Sequence, residues 1–198
     1  MPMTIMLDAG HYGKYNRSPV VRDYYESEAM WKLHLFLKKE LEAWGFAVKT
    51  TRKKQEKDME VYQRGKAAKG CDLFLSLHSN APGTATPPDR YHGVRGVNVY
   101  YSLTDEEGNA PLATALCECV AQIMQTPNRG IKTRAYPDKP DTDYYGVIRN
   151  SAQSGCRRAF LIEHGFHTNI EDSSFLRDDE CLRRLAKGEA DVIDAFFA

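Results

Sequence analysis

The chain has 198 residues, 42% of them hydrophobic, and its 27 Lys plus Arg balance 27 Asp plus Glu. That length and apolar content suit one domain around a single core. Zero formal charge argues against nucleic acid as a partner, and no apolar run approaches a membrane span. The five cysteines, an odd count, do not read as a disulfide framework, and reduced, structural thiols are expected.

In chain order, Met1-Pro2-Met3-Thr4 leads directly into a first strand, Ile5-Met6-Leu7, without a charged and then apolar leader. A polar loop (residues 11–23) precedes a long helix to about Trp44, in which Ala29, Leu33, Phe36, Leu37, Leu41 and Trp44 share one face. Gly45 ends that helix, residues 46–51 read as a second strand, and residues 58–69 as a polar amphipathic helix. A third strand, Leu73-Phe74-Leu75-Ser76-Leu77, runs up to His78. Residues 81–95 are rich in Pro, Gly and Thr and read as loop, and residues 96–101 alternate as a strand. Asn109-Ala110-Pro111 opens the next helix with Pro111 in its first turn, and Leu112, Ala115, Leu116, Cys119, Val120 and Ile123 form its buried stripe. Residues 132–143, with two prolines and many charges, read as an exposed, mobile loop. After the strand Phe160-Leu161-Ile162, Thr168 and Glu171 have capping-box spacing for a short helix. A last helix carries Leu182, Leu185, Ala186, Val192, Ile193 and Phe196 on one side. The alternation predicts an α/β fold: a single domain over residues 1–198, with a twisted, mainly parallel sheet flanked by helices on both faces.

Three chemistry-bearing residues directly follow apolar strands: His11, His78 and Glu163. In open α/β sheets functional groups gather beyond the carboxyl ends of the strands, so these two imidazoles and one carboxylate are aimed at one edge. That set suits a catalytic zinc site with an open coordination position and a nearby carboxylate. Each histidine alone also fits a satisfied core residue, and Glu163 alone fits a salt bridge to an arginine. Asp8 fits either a supporting group behind His11 or a structural one, and Ser79 or Asn80 would orient the His78 ring or the substrate. The acidic residues Asp23, Glu26 and Glu28 before the first helix offer a third ligand, or simply complement the helix dipole. His34, His92, His164 and His167 read as structural or surface residues.

Taken together these residues resemble the zinc-dependent N-acetylmuramoyl-L-alanine amidases of the amidase-3 type. The resemblance runs from Leu7-Asp8-Ala9-Gly10-His11 through an acidic residue opening the first helix, where Glu26 fits the spacing to Gly45 better than Glu28. It continues through Thr51-Arg52, Arg64, Ser76-Leu77-His78-Ser79-Asn80 and Gly96-Val97-Asn98-Val99-Tyr100-Tyr101. Asn128-Arg129-Gly130-Ile131-Lys132 matches the turn after the helix, and residues 161–169, Leu-Ile-Glu-His-Gly-Phe-His-Thr-Asn, close the match.

The resemblance implies one Zn2+ per chain held by His11, Glu26 and His78, with Glu163 as the catalytic acid/base. It implies hydrolysis of the amide between N-acetylmuramic acid and L-alanine in peptidoglycan, the partner at the bacterial cell wall. Two other readings stand beside it: a related zinc peptidase cutting within the stem peptide, or a non-catalytic wall-binding domain. The missing leader leaves either cytoplasmic synthesis with holin-type release or a secreted chain already trimmed. The chain departs from the family where Tyr12 precedes Gly13, since two glycines often follow the first histidine. Residues 81–95 and 132–143 match no fixed family pattern and are expected to shape the substrate groove.

Overall fold

The apolar runs at residues 5–7, 73–77 and 160–162 become the three central strands of a six-stranded sheet in the computed structural model, which describes residues 2–83 and 85–198. In chain order the elements are β1 (Thr4–Ala9), α1 (Glu26–Ala43), β2 (Ala47–Thr50), α2 (Val61–Lys66), β3 (Leu73–Asn80), β4 (Val97–Tyr101) and α3 (Glu106–Met124). There follow β5 (Asn128–Lys132), β6 (Ala135–Tyr136), β7 (Lys139–Asp143), α4 (Gly146–Gln153), β8 (Ala159–Phe166), α5 (Ile170–Arg177) and α6 (Asp179–Phe197). The sheet order is β2-β1-β3-β8-β4-β5, parallel from β2 to β8, with β4 antiparallel to β8 and β5 parallel to β4.

Strand alternation sorts side chains onto two faces. Ile5, Leu7, Leu73, Leu75, Leu77, Val97, Val99, Phe160 and Ile162 bury one face against α1, α3 and α6. Met6, Phe74, Ala159 and Leu161 bury the other against Ala68, Val147 and Ile148, from the turn after α2 and from α4. A Cβ on Gly65 would stand 2.6 Å from Val147 O, so the backbones of α2 and α4 approach this closely only because Gly65 has no side chain. Both helices are short, and they cover only the first rungs of this second face. The following rungs carry Asp8, Ser76, His78 and Glu163, which sit at the sheet's functional edge.

Several expectations are corrected. The helix after β4 begins at Glu106, because Asp105 caps it by accepting from Gly108 N at 3.3 Å; Pro111 therefore lies inside the helix. Cys117 and Ala113 face the sheet, whereas Cys119 and Ile123 lie against α6 at Gly188. The helix expected over residues 58–69 is confined to Val61–Lys66. Residues 128–132, expected as a turn, form β5, and residues 132–143 hold the β6–β7 hairpin in place of a mobile loop. The hairpin is anchored by buried Asp143, which accepts from Ser102 Oγ at 2.8 Å and from Leu103 N at 2.9 Å. Asn169, not Thr168, caps α5, since its Oδ1 accepts from Glu171 N and Asp172 N. Helix α4 carries no strong sequence signal and was not anticipated. None of the five cysteines is paired. Among the described residues no helix is long and apolar enough to cross a membrane.

Candidate metal centre and catalytic carboxylate

The chain turns sharply after β1. Gly10 N donates to Leu77 O at 2.8 Å, and a Cβ on Gly10 would lie 2.7 Å from His78 Nδ1, so only glycine fits between the β1 turn and the His78 ring. His11 follows with φ +55° and stacks on Tyr15 at 5.1 Å. The loop from Gly13 to Tyr15 is fastened to the start of α1: Ser27 Oγ donates to Gly13 O at 2.7 Å and accepts from Tyr15 N at 2.8 Å. This clamp brings the first residue of α1, Glu26, beneath His11. Tyr12, the departure from the family pattern, is exposed and tilts against Tyr15.

Glu26 is 1% exposed. Its Oε1 lies 3.4 Å from His11 Nε2 and 3.0 Å from His78 Nδ1, and accepts from Ser79 N at 3.1 Å. Its Oε2 accepts from Asn16 Nδ2 at 2.6 Å. Burial pushes its pKa up, but hydrogen bonds and charge from His11 and His78 outweigh this and hold it well below the usual carboxylate range. The α1 amino terminus adds to the same effect. Asp23 and Glu28, the other acidic candidates, lie outside the cluster.

One ligand atom from each of His11, Glu26 and His78 lies within 4.8 Å of the others. Zinc bonds near 2.0–2.1 Å in a tetrahedron separate ligand atoms by roughly 3.3 Å. The 3.0 and 3.4 Å separations here match that edge, so the donor set fits a zinc ion.

Glu163 was expected just past the end of its strand; β8 instead continues through it to Phe166, with every residue buried. Glu163 pairs with His78 on one side and Asn98 on the other, which puts the three side chains on one face. No arginine pairs with it among the described residues, and its buried Oε2 has no hydrogen-bond partner. Burial, then the nearby Glu26 charge, pushes its pKa well above the ordinary value. A buried carboxylate with a free oxygen beside a ligand cluster is equipped to hold or release a proton.

Asp8 does not reach His11. It is clamped by Arg64, whose Nε and Nη2 each donate at 2.8 Å, and by Thr51 Oγ1 at 2.8 Å and Ser76 Oγ at 2.7 Å. Arg52 Nη2 and Arg64 Nη2 both donate to Ala9 O, at 2.7 and 2.8 Å, and so fix the backbone just before Gly10. The His78 ring is met by Ser76, 3.1 Å from Nε2, and not by Ser79 or Asn80. His164 Nδ1 donates to His78 O at 3.1 Å while its Nε2 meets Glu189 at 2.5 Å, so it braces β3 from the far face. His167 lies 3.1 Å from Ser79 O and 3.8 Å from Glu26 Oε2. His34 is buried beside Trp31, and His92 Nδ1 lies 3.4 Å from Thr168 O. Asn16, Ser76 and Arg52 are working parts that the residue types alone did not disclose. Ser76 carried a signal, since two residues before His78 on a strand means the same face.

A family model described as N-acetylmuramoyl-L-alanine amidase matches residues 5–195. The chain belongs to this family. This amidase-family chain is 28% identical over 177 residues to N-acetylmuramoyl-L-alanine amidase LytC of Bacillus subtilis (strain 168), a match covering 88% of the chain and 31% of LytC. Cwp6 from Clostridium difficile superposes with a TM-score of 0.83 at 25% identity, over 98% of the chain and 29% of Cwp6. The catalytic domain of CwlV, N-acetylmuramoyl-L-alanine amidase from Bacillus (Paenibacillus) polymyxa var. colistinus, gives a TM-score of 0.79 at 24% identity over 98% of each chain. The family member described here therefore shares the amidase fold while spanning less than a third of LytC and Cwp6.

Proposed function

We propose that this chain hydrolyses the amide bond between N-acetylmuramic acid and L-alanine in peptidoglycan at the bacterial cell wall, as a zinc enzyme. His11, Glu26 and His78 hold the ion, and Glu163 is the acid/base. The observation that carries this reading is the convergence of three ligand atoms within 4.8 Å, next to a buried carboxylate whose Oε2 has no partner. Membership in the amidase family and the name of LytC support the choice of bond.

When bound, zinc supplies Lewis acidity, acidifying water and polarising a carbonyl oxygen. Glu163 takes the proton from the attacking water at its unpartnered Oε2. It then delivers that proton to the amide nitrogen as the carbon–nitrogen bond breaks, so L-alanine leaves as a neutral amine. Asn98, fixed by donating to Arg129 O at 3.1 Å, walls Glu163 on the β4 side. Tyr12 and Tyr15 form an aromatic wall at His11 that limits approach from that side.

The test is product analysis on purified peptidoglycan with wild type and Glu163→Gln. Wild type should release new L-alanine amino termini and leave the glycan chains intact. Glu163→Gln should keep the fold and its zinc while losing about 10²–10⁴-fold in turnover. New amino termini other than L-alanine would mark a peptidase that cuts within the stem. Full turnover by Glu163→Gln would remove that residue from the mechanism.

A further inference from the structure

His78 offers a metal only one of its two nitrogens, and the hydrogen bonds around its ring decide which. Ser76 Oγ lies 2.7 Å from Asp8 Oδ2 and 3.1 Å from His78 Nε2, and Ser76 and Asp8 are both fully buried. A serine hydroxyl has one proton to give and lone pairs with which to accept. Asp8 receives two bonds from Arg64 and one from Thr51, which keeps it an ionised, purely accepting partner. The Ser76 proton therefore goes to Asp8, and Ser76 Oγ can only accept from the ring. His78 Nε2 must carry the hydrogen. In the neutral imidazole of the metal-bound state that leaves the lone pair on Nδ1, the nitrogen 3.0 Å from Glu26 Oε1 in the ligand cluster.

We propose that the chain Arg64–Asp8–Ser76 fixes the tautomer and the ring orientation of His78, which makes Ser76 a positioning residue for the metal. The inference rests on the zinc reading given above. It assigns work to three residues outside the ligand cluster. It also links the ion site to α2, which contributes Arg64 from outside the sheet. The opposite tautomer would turn an N–H toward the cation and leave Ser76 facing a ring lone pair while its own proton is committed to Asp8. Groups that orient a ligating histidine in this way are worth about 10–100-fold in metal affinity.

The experiment measures zinc affinity by competition with a chromophoric chelator for wild type, Ser76→Ala, Ser76→Thr and Ser151→Ala, with the fold checked by circular dichroism. Nitrogen-15 NMR of the zinc-loaded wild type identifies the protonated nitrogen of His78. The expected result is a proton on Nε2 and metal on Nδ1. Ser76→Ala should bind zinc about 10–100-fold more weakly. Ser76→Thr, which keeps the hydroxyl, should return close to wild type. Ser151 is equally buried, and among the described residues its hydroxyl meets Cys156 and no member of the ligand cluster, so Ser151→Ala should leave zinc affinity unchanged. A proton on Nδ1, or wild-type affinity in a folded Ser76→Ala, overturns the proposal. Should Ser76→Ala fail to fold, the wild-type spectrum decides the matter alone. A wild-type chain that takes up no zinc is a separate outcome, since it removes the zinc reading and this inference with it.

Discussion

Replacing Arg64 by Met keeps much of the side-chain volume and removes the charge that faces Asp8. The pair is deep: the Arg64 side chain is 7% exposed and that of Asp8 0%. The change deletes two charged hydrogen bonds to Asp8 and one to Ala9 O, leaving Thr51 and Ser76 alone on a buried carboxylate. Stranding one member of a buried ion pair costs about 3–5 kcal/mol. At about 2–4 °C per kcal/mol for a chain of this size, the melting temperature should fall by roughly 6–20 °C. Urea unfolding gives the same quantity as a shift in midpoint at constant slope.

The pH dependence sharpens this test. In wild type, burial raises the Asp8 pKa, but the charge and hydrogen bonds of Arg64, with those of Ser76 and Thr51, more than offset it, and the net shift is downward. A lowered folded-state pKa contributes stability at neutral pH that is lost as pH falls through that value. Without Arg64 the burial effect prevails, and Asp8 takes up a proton more readily as pH falls toward the ordinary carboxylate range. The deficit of Arg64→Met should therefore be largest at neutral pH and shrink on mild acidification. A deficit below about 1 kcal/mol, or one indifferent to pH, would refute the view that this pair anchors the His78 strand.

Two glycine substitutions separate site from scaffold. Gly10→Ala places a methyl group 2.7 Å from His78 Nδ1 and from Leu77 O; zinc titration should show weaker binding, together with about 1–3 kcal/mol of lost stability. Gly96→Ala, just before β4, places a methyl group 2.4 Å from Pro127 O, so denaturation should show a similar loss while zinc affinity holds. Chelation of the wild-type chain should lower its melting temperature by an amount that grows with zinc concentration before chelation, because the ion binds only the folded state.

The central strands and α1 were legible because their apolar residues repeat at strand and helix periods and lie in the core, as Leu75, Leu77, Leu33 and Leu37 do. The β6–β7 hairpin was hidden by Pro137, Pro140 and its charges, which look like loop. Its order comes from tertiary ties instead: Asp143 to Ser102, and the Arg134 guanidinium 3.7 Å from the Tyr144 ring. Helix α4 offers only Val147 and Ile148 as well-buried apolar residues, too few to set a period. The continuation of β8 past Glu163 was missed because Glu163, His164 and His167 look like a polar loop; there the His164 ring is partnered by Glu189, twenty-five residues away. Within the site, His11, His78 and Glu163 stood out by position after apolar runs. Asn16 and Ser76 act through contacts with Glu26, Asp8 and His78 that exist only once four segments have come together.

The most direct test of the central claim is zinc content by elemental analysis of purified wild type and His78→Ala, paired with release of L-alanine amino termini from peptidoglycan before and after chelation. The expected result is about one zinc per wild-type chain, little in His78→Ala, and release that stops on chelation and returns with added zinc. A wild-type chain without zinc, or one that releases L-alanine termini unchanged after chelation, would contradict the account.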